Sequence, residues 1–139
     1  MTGERLRVLD TSVVVPWFFL DEPNRASALE LRGVLLREPS HFVVPPLFHA
    51  ELVHVVARKS GRDRLFVVHC LELFLRLGLR TVALSERALL RTAHWACTGL
   101  SGYDATFVSL AEDLGGVWTT NDKKAAKLAG VNAELLTRD

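Results

Sequence analysis

Short β-branched runs alternate along this chain with longer segments whose apolar residues recur every three or four positions. That alternation is the pattern of a parallel sheet covered by helices on both faces. Five runs predict strands: Leu6 to Leu9, His41 to Val44, Arg80 to Ala83, Gly116 to Thr119 and Ala133 to Leu136. Helices are predicted over Asn24 to Arg37, Pro46 to Lys59, Arg64 to Leu77, Glu86 to Cys97, Tyr103 to Leu114 and Asp122 to Ala129. The segments between strands are long enough for crossover connections. Pro46 suits a first helical position, Ser85 and Ser101 suit N-caps, and Gly61, Gly78, Gly115 and Gly130 fall where helices stop. No repeat, low-complexity tract or linker interrupts the series, and Pro45-Pro46 reads as a strand-to-helix turn.

The expectation is therefore one α/β domain spanning residues 1–139, with 49% hydrophobic residues supplying a substantial core. Lys and Arg total 17 against 16 Asp and Glu, so the +1 charge exerts no global pull on a polyanion, and any such site must come from a local patch. Cys70 and Cys97 sit among apolar neighbours, where a thiol usually serves as a small buried hydrophobe. They form neither a disulfide framework nor a zinc motif, which makes a reducing cytoplasm the simplest compartment. The apolar run from Val13 to Leu20 is too short for a membrane span of about 20 residues. Asp10, Asp21, Glu22 and Arg25 spoil its match to a secretory signal.

Four carboxylates stand where the apolar pattern ends or breaks: Asp10 in VLDTS, Glu51 in FHAELVHVV, Asp104 in GYDATFVSLAE and Asp122 in TTNDKKAAKLAG. Asp10 follows the first predicted strand, at the strand end where open α/β sheets bind ligands, but it could equally cap a following helix. Asp122 and Asp104 likewise open helices, where a cap or the helix dipole would account for them. Glu51 has no such explanation. It lies mid-helix on a face shared with Leu47 and Val55, with no Lys or Arg four residues away on either side. Arg58, seven residues on, is the nearest basic candidate for a counter-ion. If the fold gathers these carboxylates, they make an oxygen-rich pocket suited to Mg²⁺ or Mn²⁺ and to phosphodiester hydrolysis.

Other chemistry is less well supported by the residues present. His41, His49, His54, His69 and His94 show no metal-ligand spacing. Trp17, Phe18 and Phe19 read as packing or a partner surface, Ser12 lacks the partners of a serine hydrolase, and no Gly-rich phosphate loop is present.

The opening VLDTSVVVPWF, the acidic residue in PPLFHAELVHVVAR, the segment GLSGYDATFVSLAEDLGGVWTTND and the closing helix KKAAKLAGV together resemble the PIN domain. The similarity is strongest to the compact VapC-like ribonuclease toxins of bacterial and archaeal toxin–antitoxin pairs, and it covers almost the whole length. It implies a three-layer α/β/α fold with a central parallel sheet of five strands in the order 3-2-1-4-5. It also implies a Mg²⁺- or Mn²⁺-dependent endoribonuclease in which Asp10, Glu51, Asp104 and Asp122 are catalytic acids and metal ligands. The family's acidic sites vary in number, so that Asn121 or Thr120 could share the role of Asp122, and Thr11, Ser12 and Thr120 would be hydroxyls orienting a ligand or water. The implied partners are an RNA substrate, a cognate antitoxin whose tail enters the acidic groove, and a second copy of the chain. RNA processing without an antitoxin, and a noncatalytic RNA- or protein-binding module, are the alternative readings. A polyanion held beside an acidic pocket needs cations at its rim. Arg58, Lys59, Arg62 and Arg64 after the Glu51 helix qualify, as do Lys123, Lys124 and Lys127 past Asp122.

Overall fold

The structure, a computed structural model, describes residues 5–136. Five parallel strands form one sheet in the order β3-β2-β1-β4-β5. They are β1 (Arg7–Leu9), β2 (Phe42–Val44), β3 (Arg80–Thr81), β4 (Val117–Thr120) and β5 (Ala133–Leu135). The order matches the expectation. Val8 is the hub of the register, opposite Val43 on one side and Trp118 on the other. The hydrophobic runs seen in the sequence are explained by burial on both faces: Val8, Leu9, all of β2 and Trp118 are completely inaccessible.

Among the described residues seven α-helices surround the sheet: α1 (Thr11–Val14), α2 (Arg25–Arg37), α3 (Pro46–Lys59), α4 (Arg64–Leu75), α5 (Glu86–Cys97), α6 (Gly102–Asp113) and α7 (Lys123–Ala129). With the right-handed crossovers that parallel strands follow, this order puts the connections of β1, β2 and β3 on one face and those leading to β4 and β5 on the other. The chain thus reverses its direction of travel between β1 and β4, leaving a crevice at their carboxyl ends.

On one face Phe48 of α3 stacks on Phe74 of α4 with ring centroids 4.9 Å apart. The Trp17 indole N–H joins the same core while donating to Ala28 O at 2.8 Å. On the other face α6 buries Ala105, Phe107, Val108, Ser109, Leu110 and Ala111 between the sheet and α5. Each fully buried Phe or Leu contributes on the order of 1.5–3 kcal/mol, which is what fixes these elements against the sheet. Gly116 admits β1 closely: a Cβ there would collide with the Leu6 carbonyl, which accepts from Val117 N–H at 2.9 Å.

Local signals act as expected at several ends. Pro46 opens α3, Ser85 accepts from Ala88 N–H, and Ser101 accepts from Asp104 N–H. Four details differ from the sequence reading. α4 stops at Leu75, and β3 spans only two exposed residues because it is the sheet edge. α1 is a single turn of Thr and Val, poor helix formers held there because Val13 and Val14 are wholly buried. Cys70 is buried, but Cys97 is exposed, since α5 turns only Ala88 and Trp95 inward. Among the described residues no helix is long and apolar enough to cross a membrane.

Candidate active site

The crevice at the ends of β1 and β4 is built from residues that also terminate the elements. Asp10 follows β1, donates its N–H to Thr119 O at 3.0 Å and caps α1. Its Oδ2 accepts from Ser12 N–H at 3.3 Å, Ser12 Oγ at 2.5 Å and Thr120 Oγ1 at 3.1 Å. Burial pushes the Asp10 carboxyl above its ordinary range, and the Ser12 and Thr120 bonds oppose that shift.

Glu51 reaches the same crevice from the middle of α3, where the Thr11 hydroxyl donates to its Oε1 at 2.9 Å. Its carboxyl is also raised, first by burial and further by the charge of Asp10. Asp104 enters from the first turn of α6 and is pushed up to about 6, by burial first and then by the charges of Asp10, Asp122 and Glu51. The mutual repulsion of these carboxylates favours protonation.

Asp10, Glu51 and Asp104 line one open cavity of about 550 Å³, together with Thr11, Leu47, Ala50, His54, Val55 and Tyr103. Asp122 lies outside this lining. It caps α7 by accepting from Ala125 N–H at 3.0 Å, and its own N–H donates to Thr120 Oγ1 at 3.1 Å. Thr120 is therefore a bridge between the acids that follow β1 and β4. Asn121 locks the same junction, donating its N–H to Ser12 Oγ and its side-chain amide to Ser12 O, each at 3.0 Å. Asp10 is thus a helix cap and a carboxylate of the crevice at once, whereas Asp122 is a cap outside the lining whose charge still acts on Asp104.

The donor set suits a hard divalent cation: carboxylate oxygens from three elements face a water-accessible cavity and repel one another without a counter-charge. Among the described residues no three His, Cys, Asp or Glu side chains are gathered tightly enough to grip an ion as they stand. A cation that keeps several of its waters is the case that this spacing fits.

The cations divide by use. Lys59 is committed to Glu22 at 2.7 Å and lies 5.1 Å from the Phe19 ring centroid, clasping the segment before α2 onto α3. Arg58 borders two further cavities. One of about 510 Å³ shares Thr11 and Val55 with the acidic cavity and also includes Ser12, Lys59 and Asn121. Another of about 640 Å³ shares Ala50 and His54 with it and includes Arg62. Arg64 is exposed at the start of α4, while Lys123, Lys124 and Lys127 are exposed along α7 beside Asp122. Tyr103 and His54, which no sequence motif singled out as site residues, also line the acidic cavity. Their neighbours in sequence, Asp104 one position on and Glu51 three positions back, were the available signal.

A family model described as PIN domain matches residues 7–131. No curated protein matches the sequence. Among solved structures, PAE2754 from Pyrobaculum aerophilum is similar with a TM-score of 0.67 at 15% identity, over 98% of this chain and 93% of that one. The Mycobacterium tuberculosis toxin VapC20, described as cleaving the sarcin–ricin loop, is similar with a TM-score of 0.70 at 14% identity, over 91% of this chain and 97% of that one. At such identities these likenesses speak for the fold.

Proposed function

The chain belongs to the PIN domain family, whose members are generally divalent-metal-dependent nucleases, and on that premise we propose that it is a metal-dependent endoribonuclease serving as the toxin of a toxin–antitoxin pair. The observation that carries this reading is the meeting of Asp10, Glu51 and Asp104 on one cavity, with Asp104 pushed up to about 6 partly by its acidic neighbours.

Asp10, Glu51 and Asp104 would hold Mg²⁺ or Mn²⁺, with Asp122 contributing from the far side of Thr120. When bound, the cation supplies an activated water and charge stabilisation at a phosphodiester. The chain's own part is to orient and to exclude alternatives. Ser12 and Thr120 occupy Asp10 Oδ2 and so fix the carboxylate plane, and Thr11 does the same for Glu51. Arg58 and Arg62 border the neighbouring cavities and are the RNA-binding cations we favour, with Lys123 and Lys124 on the other flank. Lys59 would act indirectly, by holding the loop it clasps.

The structural likeness to VapC20 supports an antitoxin as partner. A second copy of the chain is the other partner we propose. On α4, Val67, Cys70 and Phe74 are spent on the core, leaving Leu65, Val68 and Leu75 exposed for such a contact. The test of function is cleavage of total cellular RNA with Mg²⁺ or Mn²⁺, with chelator, and by Asp10→Asn and Asp104→Asn. Metal-dependent cleavage lost in both variants is expected; equal cleavage in all samples would overturn the reading.

A further inference from the structure

Tyr103 is a large aromatic residue left 62% exposed although it immediately precedes a carboxylate of the crevice. It stands in the first turn of α6, a helix almost wholly buried further along, one position before Asp104. The cavity it lines is chemically divided. Asp10, Glu51 and Asp104 supply its charge, while Leu47, Ala50 and Val55 of α3 supply an uncharged wall. Arg58 and Arg62 line an adjoining cavity that shares Ala50 and His54 with it. A nucleotide is divided in the same way, into an anionic phosphate and a flat, weakly polar base. Phosphates gain nothing from a tyrosine ring or an aliphatic wall, whereas a base gains by stacking on one and excluding water against the other.

We propose that Tyr103 is a specificity-determining residue: a platform on which an unpaired nucleobase flanking the scissile phosphate stacks while the adjoining phosphates run toward Arg58 and Arg62. The proposal rests on the ribonuclease reading and assigns a role to a residue outside the acidic set. It requires the base to leave any duplex, since a paired base offers no free face. Stacking is made in the bound ground state as well as in the transition state, so its loss should raise KM and leave kcat nearly unchanged. The ring is needed and the hydroxyl is not.

The experiment begins with total cellular RNA cut by the wild-type chain and sequenced at its new ends; a short oligoribonucleotide covering the strongest site then serves as substrate. Steady-state cleavage is compared for wild type, Tyr103→Phe and Tyr103→Leu, on that oligonucleotide and on versions with one abasic position near the cut. The expected result is a KM raised roughly 5- to 150-fold in Tyr103→Leu, the range typical of base–aromatic stacking, with Tyr103→Phe close to wild type. One abasic position should raise KM for wild type and add nothing further in Tyr103→Leu. If wild type cleaves and Tyr103→Leu shows an unchanged KM, or if every abasic penalty survives in it, the platform is refuted and the ribonuclease reading stands. If no cleavage depends on Asp10 and Asp104, the reading fails and the platform falls with it.

Discussion

Thr120 and Asp10, 110 positions apart in sequence, are joined by a 3.1 Å hydrogen bond from the Thr120 hydroxyl to Asp10 Oδ2. The same hydroxyl accepts from Asp122 N–H at 3.1 Å, so one completely buried atom group couples the ends of β1 and β4. Replacing Thr120 by Val keeps the shape but leaves a partly buried N–H and a buried carboxylate each short of a partner. The expected cost is about 1–3 kcal/mol of stability, and a loss of about 10- to 100-fold in metal affinity or activity. Thr120→Ser should recover most of both. Chemical denaturation and metal titration of the two variants check this; equal behaviour of Val and Ser would remove the hydroxyl from the account.

Charge repulsion in the crevice sets function against stability. Asp104→Asn removes a carboxylate whose ionisation is opposed by burial and by three acidic neighbours. At neutral pH, without divalent cations, this variant should melt above wild type although it should not cleave RNA. Mg²⁺ or Mn²⁺ should raise the melting temperature of wild type by mass action, and do so less for the variant. A variant less stable than wild type under metal-free conditions would show that Asp104 is a structural necessity instead.

The pH dependence has a definite sign. The folded chain holds the Asp104 proton up to about 6, against an ordinary value of 3.8. Between those values the native state binds more protons than the unfolded one, so stability falls as pH rises. Asp10 and Glu51, also raised, act in the same sense. Glu112 and Asp113 are lowered by Arg91 and Arg87 and act oppositely, but their ordinary values of 4.5 and 3.8 confine that effect to the acidic end. Metal-free wild type should therefore lose melting temperature from about pH 4.5 to pH 6, and Asp104→Asn should flatten the slope. Differential scanning calorimetry across this window decides it.

Arg58 and Lys59 are adjacent, but they should respond differently to substitution. Arg58→Ala and Arg62→Ala should each lower the salt dependence of RNA binding by about 0.7 in log–log slope, as one phosphate contact to a single strand is lost. Lys59→Met removes the Glu22 pair and the contact with Phe19, and should lower the melting temperature while leaving the slope almost unchanged. Fluorescence titrations at several salt concentrations, using the Asp10→Asn background to prevent cleavage, separate the two outcomes.

Much of this protein could be read before folding. Alternation of β-branched and helical periods depends only on which faces of each element are buried, so the strands and every α-helix except the single-turn α1 could be located from Leu6 to Leu136. The four acids stood out because each ends or breaks an apolar pattern, and Ser85, Ser101 and Pro46 acted through contacts within one helical turn. The tertiary structure alone decided which side chains share a space. Sheet order and crossover direction, set by long-range packing, brought Glu51 and Asp104 to one cavity, left Asp122 outside its lining, and tied Thr120 to Asp10. The same packing committed Lys59 to Glu22 and placed Tyr103 at the mouth of the crevice. Local periodicity carries no record of such distances, and burial, which raises the site's carboxyl groups, exists only once the chain has closed around them.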